Sequence, residues 1–135
     1  MPRKDYSKWM PIKAKLNNAH LSSTKAHHTR IHKGEVYWIY FGENIGHEQD
    51  GKSKLFTRPG IVIKTYGQSL ITVLPLTTNK KNDIFHYSFN LGKTISTASL
   101  SQIRSIDSAR VGTKIGKADN ITLAILKSKL MALLS

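Results

Sequence analysis

No cysteine occurs among the 135 residues. That excludes a disulfide scaffold and thiol-based zinc or redox chemistry, and it suits a reducing compartment. No apolar run approaches the roughly 20 residues that a membrane-spanning helix needs, and the N-terminus lacks the apolar core of a signal peptide. A cytoplasmic protein with no membrane partner is therefore expected. Acid is also scarce: eight Asp and Glu stand against 21 Lys and Arg, leaving a net charge of +13. A surface of that sign draws polyanions over long range, and nucleic acid is the commonest in a cell. Simple solubility, or an acidic protein partner, would use the same charge.

The length fits one domain able to bury a core, and a 39% hydrophobic content is ordinary for a folded chain. Two segments differ in texture. Residues 1–33 carry eight Lys and Arg and a single Asp, with four of the six histidines, and read as a basic N-terminal extension. Within it Trp9, Ile12, Leu16 and Ala19 recur at helical spacing, which predicts a short helix after Pro11, and Ser22–Lys25 reads as a linker. His28 and His32 are spaced to share a helix face, but no third ligand accompanies them, so no metal and no cofactor is expected. The extension is better read as a basic arm that adds affinity for nucleic acid.

Residues 34–135 read as the main domain. Val36–Phe41 is aromatic and β-branched, Gly60–Lys64 and Leu70–Leu74 are apolar runs parted by a turn at Tyr66-Gly67-Gln68, and His86–Leu91 alternates. Leu100–Ile106 and Val111–Ile115 add two further strands, with Pro75 expected to stop the third. Short strands at this spacing predict a mainly β (α+β) fold, a small antiparallel β-barrel. A C-terminal helix closes the chain, capped by Asp119, with Leu123, Leu126, Leu130, Leu133 and Leu134 as its apolar face.

Gly46-His47-Glu48-Gln49-Asp50-Gly51-Lys52-Ser53 formally matches a phosphate-binding loop. That motif works only where a helix starts at the lysine and aims its N-terminus at phosphate. Pro59 and a β-rich run follow here instead, and Glu48 and Asp50 would repel a nucleotide, so an NTPase is excluded. Metal-free RNA cleavage needs groups that move protons and a cation that stabilises a phosphorane. The candidates gather at two loops: His47, Glu48 and Arg58 in the first, Thr77 and Thr78 beyond the third strand. Arg58, expected in a loop, is held by the proline that follows it, and its planar guanidinium suits bidentate phosphate binding. The plainer reading pairs Arg58 with Glu48 or Asp50 and lets Thr77 simply end a strand.

From Gly34 onward the sequence resembles the MazF/PemK family of toxins from type II toxin–antitoxin modules. The resemblance rests on an ordered set: Gly34–Trp38, Gly46–Gln49, Arg58–Ile63, Leu74–Thr78, Gln102–Asp107 and the terminal leucine-rich helix. It implies an SH3-like barrel and a homodimer. It implies a metal-independent endoribonuclease (an mRNA interferase) that cuts single-stranded RNA by 2′-hydroxyl attack and so inhibits growth. It also implies a cognate antitoxin with an acidic tail. Arg58 matches the family's catalytic arginine, Thr77 the threonine that hydrogen-bonds the phosphate, and Glu48-Gln49 the pair in the first loop. His47 matches a histidine of the PemK-like branch. Gln102 and Arg104 match an RNA-contacting stretch, and Thr78, Lys52 and Lys54 join Gln49 as expected RNA contacts.

Three departures stand out. The stretch between Gln49 and Arg58 is longer than the family's, Ser101 replaces the catalytic aspartate of the PemK-like branch, and residues 1–33 have no counterpart in short members. Tyr37, Trp38, Phe56 and Tyr66 are candidate base-stacking platforms, Tyr37 and Trp38 being read first as core or dimer contacts. Two competing readings remain: a basic barrel that binds nucleic acid without cutting it, and a toxin of this fold aimed at a protein such as DNA gyrase.

Overall fold

The computed structural model describes residues 11–13, 30–42 and 57–135. His47, Glu48, Gln49, Lys52, Lys54 and Phe56 lie outside the described residues, as does most of the N-terminal segment.

Among the described residues, seven strands and one long helix make up the domain: β1 (Glu35–Tyr40), β2 (Thr57–Tyr66), β3 (Leu70–Thr77), β4 (His86–Leu91), β5 (Thr94–Ser99), β6 (Arg104–Asp107), β7 (Val111–Lys117) and α1 (Asn120–Leu134). All pairings are antiparallel, in the order β4-β5-β3-β2-β1-β7, with β6 also pairing β3. The fold class is the expected one, mainly β with a C-terminal helix. The barrel is not closed by hydrogen bonds: among the described residues the ladder ends at β4 and β7.

The apolar runs of β2 and β3 have a physical cause in two cores, one on each face of the central sheet. Ile61, Ile63, Leu74 and Leu76 pack with Phe89, Leu100, Leu126 and Leu130. Val62, Ile71 and Val73 point the other way, to Tyr37, Ile39, Phe41 and Ile106. A strand buried on both faces loses the polar alternation of a half-exposed one. The second core also takes in Ile31, whose amide donates to the Gln68 side chain at 2.8 Å.

Four local expectations change. Pro75 does not stop β3, which runs on to Thr77. The strand pairs β6 over Leu70–Val73 and β5 at Leu76 and Thr77, so the proline, with no amide hydrogen to offer, stands where the partner changes. Thr94–Ser99, unread in the sequence, is β5; the two-residue link Gly92-Lys93, with Gly92 at φ 63°, makes it a tight hairpin with β4. Leu100–Ile106 is a short 3-10 turn (Leu100–Gln102) followed by β6 rather than one strand. In α1, Asp119 accepts from the Thr122 amide at 2.7 Å as expected, and Leu126 and Leu130 are buried, but Leu134 is 81% exposed. Each fully buried leucine contributes about 1.5–3 kcal/mol, which is what fastens the helix over the first core.

At the start of β1, Glu35 is a buried carboxylate. It accepts from the His32 amide at 2.5 Å, Tyr37 Oη at 3.0 Å and Lys114 Nζ at 2.6 Å, tying the entry of β1 to β7. Burial alone would raise its pKa, but these three hydrogen bonds outweigh that and hold it below its ordinary value. Burial, then the bond to Glu35, pushes the Tyr37 phenol up to about 12.

Candidate active site

Arg58 is not in a loop. It is the second residue of β2, opposite Ile39 of β1, and only 7% exposed. Its Nη1 donates to the Leu76 carbonyl at 3.4 Å, which links the guanidinium to the end of β3. Because Pro59 fixes the next φ and the strand fixes the rest, the side chain is aimed by regular backbone rather than by a mobile turn.

Thr77 closes β3 and is half-buried. Its Oγ1 accepts from the Asn79 amide at 3.2 Å, and a hydroxyl used as an acceptor keeps its own hydrogen to donate. Thr78 follows, exposed. Arg58, Thr77 and Thr78 together line a concave pocket of about 370 Å³, walled by Trp38, Pro59 and Ser96. Two consecutive, paired strands thus bring a fixed cation and an oriented hydroxyl to one cavity.

Trp38 is not a core residue. Its neighbours Tyr37 and Ile39 are buried, while Trp38 is 45% exposed opposite Pro59, and its ring borders the pocket. An aromatic face beside a phosphate-sized cation is the arrangement that takes a nucleotide base. Tyr66, also exposed, lies at the far end of β2, with Lys64 Nζ 5.4 Å from its ring centre.

Gln102 and Arg104 do not line this pocket. Gln102 belongs to the 3-10 turn and Arg104 opens β6, paired to Val73. Ser101 is exposed on the same turn. Arg104 lies near Arg110, which the sequence reading passed over. Arg110 donates from Nη1 to the Tyr40 and Phe41 carbonyls at 3.2 and 3.4 Å, so it anchors the end of β1. Burial and then the like charge of Arg104 lower its pKa. Only a fold in hand could pair a Ser-Ala-Arg turn with the end of a strand that distant. Ser96 escaped notice because β5 itself did.

Among the described residues no three His, Asp or Glu side chains gather as a metal site. Nor is any described helix long and apolar enough to cross a membrane.

A family model described as "PemK-like, MazF-like toxin of type II toxin-antitoxin system" matches residues 32–134. Among solved structures, the chain is similar to MazF from Deinococcus radiodurans, with 26% identity over 79% of this chain and 98% of that one, at a TM-score of 0.65. It is similar to a MazE–MazF structure from the same organism (21% identity, 80% and 98% covered, TM-score 0.59). It is also similar to an endoribonuclease in complex with its cognate antitoxin from a mycobacterial species (13% identity, 76% and 92% covered, TM-score 0.57). The last two likenesses speak to the fold alone. A search of curated proteins gave no significant sequence match.

Proposed function

The chain belongs to the PemK-like, MazF-like toxins of type II toxin–antitoxin systems, and on that premise we propose that it is a metal-independent endoribonuclease that cuts single-stranded RNA. The observation that carries this reading is the shared pocket of Arg58 and Thr77. In the reaction the RNA 2′-oxygen, losing its proton, attacks the adjacent phosphorus. The bond to the 5′-oxygen breaks and that oxygen takes up a proton, leaving a 2′,3′-cyclic phosphate and a 5′-hydroxyl. Arg58 stabilises the charge on the phosphorane, since a guanidinium holds its protons and serves poorly as an acid or base. Thr77 donates to a non-bridging oxygen, and Trp38 stacks on a flanking base. His47 and Glu48 are assigned the proton transfers, with Gln49, Lys52, Lys54, Thr78, Gln102 and Arg104 contacting RNA. Lys52 and Lys54 are assigned by their charge, within a stretch longer than the family's; the other assignments follow the motifs that resemble the family.

The working form is taken to be a homodimer in the cytoplasm, held inactive by a cognate antitoxin with an acidic segment. Exposed apolar side chains on α1 support an interface: Ile121 is 73%, Met131 70% and Leu134 81% exposed. Antitoxin-bound structures among the similar proteins support such a partner. Residues 1–33 are proposed as a basic extension that strengthens RNA binding. Incubating purified, antitoxin-free protein with a long single-stranded RNA in EDTA, then sequencing the new ends, tests the proposal. Discrete cuts at one short motif with 5′-hydroxyl ends are expected. Intact RNA would shift the assignment to a binding module or a toxin with a protein target.

A further inference from the structure

Ser96 of β5 lines the Arg58 pocket and is only 9% exposed. Its direction follows from the strand. Thr97 turns its hydroxyl to that of Ser88 at 2.7 Å, and Ile95 and Ser88 both border a second groove, of about 680 Å³. Side chains alternate across a strand, so Ser96, between Ile95 and Thr97, projects from the opposite face and into the Arg58 pocket. Its backbone is set in the β4–β5 ladder opposite Phe89, a buried member of the first core.

Among the described residues the Ser96 hydroxyl makes no hydrogen bond. The hydroxyls of Ser88 and Thr97 pair across the ladder, but they lie on the other face. Nothing in the fold satisfies Ser96, so its partner must come from what enters the pocket. The rest of the lining constrains that occupant. Arg58, Thr77 and Thr78 suit a phosphate, whereas Trp38, Pro59 and Leu76 offer apolar surface. A flat nucleobase suits the apolar part, but its edge carries nitrogens and oxygens that lose water on entry and need a partner.

We propose that Ser96 is a specificity-determining residue of this pocket: its hydroxyl pairs with the edge of a base stacked on Trp38, beside the phosphate held by Arg58 and Thr77. The inference rests on the reading of the pocket as a seat for single-stranded RNA. A hydroxyl both donates and accepts, so Ser96 can meet either kind of edge group, and the shape of the apolar walls completes the choice of base. A base with no matching group there leaves Ser96 unpaired, and that loss is the discrimination.

A fully randomised pool of single-stranded 2′-deoxy oligonucleotides tests this. Full-length protein is incubated with the pool, the bound fraction is sequenced, and the enriched motif is compared between wild type and S96A. Lacking 2′-hydroxyls, the pool cannot be cut by 2′-oxygen attack, so base reading is measured apart from cleavage. Failure of the nuclease reading, seen as intact RNA, would therefore leave this result standing. Wild type should enrich a short motif, and S96A should lose about three- to tenfold of the preference at one position while the others hold. Because the hydroxyl holds nothing in the fold, S96A should also unfold at a Tm no lower than wild type, followed by circular dichroism. An unchanged motif in S96A, an equal loss at every position, or no enrichment by wild type would overturn the assignment. So would a lowered Tm, which would mark the hydroxyl as structural.

Discussion

Gly60 sets how closely β1 and β2 approach beneath the pocket, and replacing it by alanine gives a sharp test of that packing. A Cβ at this position would stand 2.6 Å from Ile39 Cδ1 and 3.3 Å from Phe41 Cζ, both side chains being fully buried. The first distance is an overlap, so Ile39 must leave its rotamer or the strands must part. Overpacking of this kind costs about 1–3 kcal/mol. For a domain near 100 residues that lowers Tm by about 4 °C or more per kcal/mol. Ile39→Val removes the clashing Cδ1 itself and alone costs about 0.5–1.5 kcal/mol. The double variant G60A/I39V should therefore be more stable than G60A, with a coupling of about 1 kcal/mol or more in the favourable direction. Urea unfolding followed by circular dichroism at fixed temperature gives all four stabilities. Strict additivity would show that Gly60 is not held by Ile39 and would refute the reasoning.

Two further outcomes follow from the same contacts. Glu35→Gln should cost about 2 kcal/mol at neutral pH, because one charge-assisted hydrogen bond to a buried carboxylate is lost. The folded carboxyl has a lowered pKa, so its contribution is present above the unfolded value and disappears as pH falls through the folded one. The stability gap between variant and wild type, read by thermal unfolding, should thus narrow as the pH falls; a gap that does not change on acidification would contradict it. Trp38→Ala should weaken RNA binding about tenfold or more, the worth of one base stack, with circular dichroism verifying the fold. Single-turnover cleavage over a range of protein concentrations separates that loss from one in the chemical step.

Much of the fold was legible because two-sided burial leaves long apolar runs, as in Ile61–Ile63 and Ile71–Leu74. What escaped notice did so for identifiable reasons. Thr94–Ser99 carries Ser and Thr at positions that are nonetheless buried, Ser96 through Ser99 all lying inside the sheet. The Thr97 hydroxyl finds a partner in Ser88, which hydropathy cannot register. The hairpin signal in Leu91-Gly92-Lys93-Thr94 was present. Pro75 was read as a stop because a proline breaks a ladder, whereas here it falls at a change of strand partner. Leu134 continues the leucine pattern of α1 past the edge of the core, so its exposure depends on where the sheet ends. At the site, Arg58 and Thr77 were read from their motifs. Their meeting in one pocket depends on the pairing of β2 with β3, and the surroundings of Arg58 proved to be a buried strand. Removing its side chain altogether would unsettle the fold, so Lys is the informative replacement.

The central claim is that Arg58 and Thr77 act as a unit on one phosphate. Single-turnover cleavage rates of wild type, R58K, T77V and the double variant on one RNA, in EDTA, test it most directly. Each single change should slow cleavage about a hundredfold, as removal of one transition-state donor does. The double variant should be scarcely slower than the worse single one. T77V cutting as fast as wild type would contradict the account.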